Sequence, residues 1–149
     1  MSGFLLDTNV ISELVKPRPD PTVTKWIDAT DESLVCLSVL TLGEIRKGIA
    51  SLPDGFRRVS LEAWLDRDLV LRFAGRILVI NQAVADRWGR IAAQALAGKS
   101  HLPVIYERLA ATAMHHNVSA TRRMSLLRTS QYSTPGHRKR STVLNPLRT

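Results

Sequence analysis

Two acids in this chain interrupt apolar sequence at places where a surface charge has no obvious reason to be. Asp7 ends the run in "FLLDTNV", and Glu44 follows a glycine in "LTLGEIRKGI". A hard divalent cation such as Mg²⁺ takes oxygen ligands, and proteins supply it with a few carboxylates and leave the rest to water. Hydrolysis of a phosphodiester needs such an ion to activate water and to stabilise charge on the leaving oxygen. Acids crowded together need the cation in turn, since like charges at short range raise one another's pKa. Each acid also has a plainer reading. Asp7 is a natural helix cap, and Glu44 is a favourable charge near a helix amino terminus. On spacing alone both readings stay open.

The elements that must hold these acids can be read from hydrophobic periodicity. "GFLLD" is a short apolar run, and "TNVISELV" follows it with Val10, Ile11, Leu14 and Val15 at helical spacing. "KPRPDP" breaks that helix before a second one in "TVTKWIDA". "SLVCLS" reads as a buried strand. "TLGEIRKGIASL" then puts Leu42, Ile45, Ile49 and Leu52 on one face, and "PDG" stops it. A longer helix carries Leu61, Leu65, Leu69 and Phe73, and "RILVI" is a third strand. Asn81 caps a helix with Val84, Trp88, Ile91, Ala95 and Leu96 at 3.6 spacing, "GKSHLP" is a loop, and "PVIYERLAATAMHH" is one more helix. Strands alternating with helices predict an α/β fold, three layers with a central parallel sheet between helices. Ligands in such sheets bind beyond the carboxyl ends of the strands, where Asp7 and the entry to the Glu44 helix fall.

At 149 residues and 44% hydrophobic content, the chain has material for one domain with a real core. Its apolar runs are too short to span a bilayer, and "MSGFLLDTNVI" lacks the basic start of a signal peptide. Cys36 lies in an apolar run and reads as a buried thiol of a reducing compartment, so a cytoplasmic location is expected. The net charge of +8 is unevenly spread. All 13 acids lie between Asp7 and Glu107, together with 13 of the 21 Lys and Arg residues. The excess therefore sits in residues 108–149, as a solvated tail or a phosphate-binding arm. After Asn117 the periodicity decays: "VSAT" reads as an edge strand, and the rest is expected to be irregular. The predicted organisation is a domain over 1–117 followed by a basic segment over 118–149.

"LLDTNVISEL", then "SVLTLGEIRKGI", then "LPVIYERLAATAMHHN" together resemble the PIN-domain family, most closely the VapC-type toxins of bacterial toxin–antitoxin pairs. The resemblance runs from Phe4 to Asn117. It implies a compact α/β/α fold, a Mg²⁺- or Mn²⁺-dependent endoribonuclease acting on RNA, a cognate antitoxin as partner, and a homodimer. Carried over by position, Asp7 and Glu44 match the catalytic, metal-ligating acids of the first two motifs, and Asn9 matches a polar residue bracing the first. The third acid of the pattern falls on Tyr106. A phenol is neutral at pH 7 and longer than an Asp, so it cannot replace a ligating carboxylate. Glu107 is the nearest substitute metal ligand, rotated about 100° around the helix from position 106. A fourth acid of the pattern has no counterpart near "ATRRMSLL", and "VLNPLRT" resembles the family's usual ending. The departures leave an alternative open: an inactive PIN domain that binds an antitoxin or partner subunit without cutting RNA.

Other signals are weaker. "GKS" lacks the upstream glycine of a phosphate loop, no Cys/His set has zinc spacing, and Asp86 falls opposite the Val84/Trp88 stripe.

Overall fold

Gly3 to Leu6 extends as β1 because three of its four residues are buried on both faces of a sheet. Gly3 is required by its surroundings, since a Cβ there would meet the Leu34 carbonyl oxygen at 2.7 Å. The computed structural model describes residues 3–99, 103–122 and 125–127. After β1 come α1 (Thr8–Glu13), α2 (Pro21–Ala29), a single 3₁₀ turn (Glu32–Leu34), β2 (Val35–Ser38) and α3 (Val39–Ala50). Then follow α4 (Phe56–Ala63), a π-helical stretch (Trp64–Leu69), α5 (Val70–Arg72), β3 (Ile77–Leu78), α6 (Gln82–Ala97), α7 (Val104–His115), β4 (Val118–Arg122) and β5 (Ser125–Leu127).

The sheet order is β3-β2-β1-β4-β5. The first four strands run parallel, and β5 is antiparallel to β4. Alternation along the strands splits the core in two. Leu6, Val35 and Leu37 face a cluster with Val10, Ile45 and Phe73 from the helices on one side. Leu5, Cys36 and Ala120 face Leu109 and Ala113 of α7 on the other. This is the expected three-layer α/β/α arrangement. No described helix is long and apolar enough to cross a membrane.

The stripe Leu61, Leu65, Leu69 and Phe73 stays on the core side for a geometric reason. Steps of four drift around an α-helix of 3.6 residues per turn. The wider π turns between Trp64 and Leu69 drift the other way and bring the stripe back into phase.

Two strands differ from expectation. The "RILVI" run pairs only at Ile77 and Leu78, because β2 ends at Ser38 opposite Leu78; Val79 and Ile80 beyond that point are exposed. Arg76 fixes the entry to β3 by donating to the Val35 carbonyl at 2.7 Å and to the Glu32 carboxylate at 3.2 Å. "VSAT" is an interior strand instead of an edge, in register with β1 from Gly3↔Val118 to Leu6↔Thr121. The sheet thus continues past residue 117, where the sequence pattern decays; residues 128–149 lie outside the described residues.

Candidate active site

The parallel strands β2, β1 and β4 end level with one another, and their last residues form a floor. Asp7 stands at the centre of that floor, directly after β1, with only 4% of its surface exposed. Its backbone leaves the strand in an extended conformation, so its side chain folds back over α1. Oδ1 accepts the Val10 N–H at 3.1 Å, and Oδ2 accepts from the Asn9 amide at 3.4 Å. The cap reading and the brace expected of Asn9 are therefore both present in the geometry.

Glu44 lies on the second turn of α3 instead of the first turn expected from the sequence, because the helix already begins at Val39 directly after β2, and it is half-buried. Thr41, one turn earlier and buried, donates its hydroxyl to the Leu6 carbonyl at 3.4 Å. That contact docks the Glu44 helix on the residue that precedes Asp7. Glu44 opens into a groove of about 240 Å³ together with Thr8 and Ser12 of α1. Away from the sheet the groove becomes apolar, along Ile45, Ile49, Leu61 and Trp64, with Lys16 and Arg57 among its walls.

Two hydroxyls at the floor were not singled out from the sequence. Ser38 is fully buried and caps α3 by accepting the Leu40 N–H at 3.1 Å. Thr121 is buried and donates to the Leu5 carbonyl at 3.3 Å. The available signal was a hydroxyl residue closing an apolar run, in "VCLS" and in "VSAT".

Tyr106 and Glu107 open α7 and face different neighbours. Tyr106 packs against the Leu5–Cys36–Ala120 cluster on the sheet. Glu107 is buried on the α6 side, where its Oε2 accepts the Trp88 indole N–H at 3.2 Å. Asp86 is exposed and pairs with Arg90 at 2.9 Å. His115 and His116 meet edge to face at the far end of α7. Burial pushes the Cys36 thiol up to about 11, which leaves it no thiolate for chemistry at neutral pH.

Among the described residues no three His, Cys, Asp or Glu side chains converge on one point, so a three-carboxylate cage is absent there. Asp7 stands at the end of β1, and Glu44 lines the groove beside Thr8, the residue that follows Asp7. Carboxylates are the donor type that Mg²⁺ or Mn²⁺ takes, one or two from the protein with water and phosphate oxygens completing the shell.

The PIN domain family matches residues 4–123. Toxin FitB of Neisseria gonorrhoeae is 35% identical over 120 residues, covering 80% of this chain and 86% of its own length. VapC ribonuclease Y4jK of Sinorhizobium fredii is 36% identical over 113 residues, covering 76% of this chain and 81% of its own. The crystal structure of FitAcB from Neisseria gonorrhoeae superposes with a TM-score of 0.75 at 35% identity, over 78% of this chain and 84% of that one.

Proposed function

The chain belongs to the PIN-domain family, and on that premise we propose that it is a VapC-type toxin whose ribonuclease site is reduced to two acids, Asp7 and Glu44. The observation that carries this reading is the docking of the Glu44 helix onto the end of β1 through Thr41 and Leu6. Support comes from the adjacent parallel strands β1 and β2, which lead into Asp7 and into the Glu44 helix at the edge where α/β sheets bind ligands.

Asp7 and Glu44 would hold a Mg²⁺ or Mn²⁺ ion. Such an ion, when bound, supplies water activation and charge stabilisation on the leaving oxygen of an RNA phosphodiester. The chain's own groups orient that chemistry. The Val10 N–H and the Asn9 amide fix the rotamer of Asp7, and Ser38 and Thr41 fix the start of α3. Arg57 and Lys16, the latter paired with Glu13, line the groove that holds Glu44 and are cations suited to phosphate oxygens. Tyr106, in the position of the third acid, adds no charge, so metal affinity and turnover are both weak.

A cognate antitoxin and a second copy of the chain are the partners this reading carries, in keeping with its similarity to Toxin FitB. A second reading is favoured by Tyr106 and by the lack of a three-acid cluster among the described residues: a PIN domain that binds antitoxin and cuts nothing. Incubation of the purified chain with structured RNA and Mn²⁺ separates the two. Slow cleavage that stops with EDTA and with Glu44→Ala supports the first. Intact RNA, with cleavage appearing only in Tyr106→Asp, supports the second.

A further inference from the structure

Two consecutive residues of α7 hold one indole from two directions. Glu107 takes the Trp88 N–H at the ring edge, at 3.2 Å. The Arg108 guanidinium lies over the ring face, 5.0 Å from its centroid. Apolar packing restrains the roll of α7 on the sheet side through Ile105, Tyr106 and Leu109, whereas small alanines on the helix offer few ridges of their own. Ala111 and Ala113 are fully buried in such contacts, Ala111 toward α6 and Ala113 toward the sheet. A hydrogen bond from a half-buried indole to a buried carboxylate is directional and costly to break without replacement. It therefore adds a directional restraint on the α6 side to the packing of Tyr106 and Leu109 on the sheet.

The roll angle matters because each residue turns the helix by about 100°. Residues 107 and 111 face α6, with Met114 beside them, whereas residues 106, 109 and 113 face the sheet. We propose that Glu107, with Arg108, is a positioning residue: by gripping Trp88 it sets the roll of α7 and so directs position 106 toward the carboxyl edge of the sheet. This rests on the reading of that edge as a metal site, and deepens it. Glu107 serves the site by aiming its neighbour, not by ligating metal itself, and its carboxylate is replaceable by an uncharged acceptor.

The test uses nuclear magnetic resonance on the full chain, with Trp88→Phe assigning the Trp88 indole signal. In the natural protein, the Tyr106 ring should show cross-relaxation to methyl groups of Leu5 or Ala120. Glu107→Ala should shift the indole proton upfield and remove those contacts. Glu107→Gln, which still accepts from the indole, should retain both. A second arm titrates Mn²⁺ into Tyr106→Asp: adding Glu107→Ala should weaken binding at least tenfold, and adding Glu107→Gln should change it less than threefold. Unchanged Tyr106 contacts in Glu107→Ala would overturn the proposal. So would an affinity loss in Glu107→Gln equal to that in Glu107→Ala, which would make Glu107 a ligand by its charge. If Tyr106→Asp binds no Mn²⁺ at all, the metal reading fails, and the Tyr106 contacts alone still decide the positioning role.

Discussion

The Thr41 hydroxyl donates to the Leu6 carbonyl across 35 residues of sequence, and that one contact ties the Glu44 helix to the strand that leads into Asp7. Both groups are buried, so the bond has no competing water. Thr41→Val keeps the shape but leaves the Leu6 carbonyl short of a partner. It should cost about 1 kcal/mol of stability and lower Mn²⁺ affinity more than that loss of stability accounts for. Chemical denaturation beside a metal titration checks both numbers.

Asp7 has two duties that a pair of substitutions separates. Asp7→Ala removes the cap from α1 and should destabilise the fold by about 1 kcal/mol. Asp7→Ser still accepts the Val10 N–H and should keep the natural melting temperature within a few degrees. Both should abolish metal-dependent cleavage. Retained cleavage in Asp7→Ser would mean that capping is the whole role of Asp7.

Tyr106→Asp moves in opposite directions on stability and metal binding. Tyr106 packs on an apolar cluster, so a carboxylate there should cost about 1–3 kcal/mol in metal-free buffer. Mn²⁺ should restore much of that loss, because a ligand that binds only the folded state stabilises it by mass action. A melting temperature of this variant that ignores Mn²⁺ would count against the site.

Glu32 sets part of the acid limb of stability. The Arg72 hydrogen bond first, and Arg76 beside it, hold its carboxyl down to about 2, well below its ordinary 4.5. Its folded pKa is depressed, so its contribution is complete above the ordinary value and fades as pH falls from 4.5 toward 2. The carboxylate is half exposed and screened, which keeps that contribution under about 1 kcal/mol. Glu32→Gln should therefore be slightly less stable than the natural chain at pH 7, with the difference vanishing at the acid end. Urea midpoints measured across that range would reveal a constant gap if the pairing were unimportant.

Cys36 should be silent toward a disulfide reagent at pH 8 while the protein is folded, since burial both hides the thiol and raises its pKa. Prompt colour before denaturant is added would contradict that placement.

Most of the fold was legible because its apolar runs are clean. "GFLLD" and "SLVCLS" announce buried parallel strands, and Asn81 caps α6 with a 2.9 Å bond to the Val84 N–H as its position suggested. The two acids were legible for a related reason: each breaks an apolar pattern. Less visible were features that depend on partners distant in sequence. β3 is short because β2 runs out, and the ends of β4 and β2 matter because Thr121 and Ser38 stand level with the Asp7 edge. The partner of Glu107 was hidden as well. Helical rotation said only that Glu107 and position 106 point apart; it did not say that Trp88, 19 residues earlier, waits on the other side.

The most direct test of the central claim is a calorimetric titration of Mn²⁺ into four proteins: the natural chain, Glu44→Ala, Tyr106→Asp, and the double variant. A metal site on Asp7 and Glu44 gives weak binding by the natural chain, binding at least tenfold tighter by Tyr106→Asp, and loss of both when Glu44 is removed. Equal affinity in all four would contradict it, and would mean that Asp7 and Glu44 do not form a metal site.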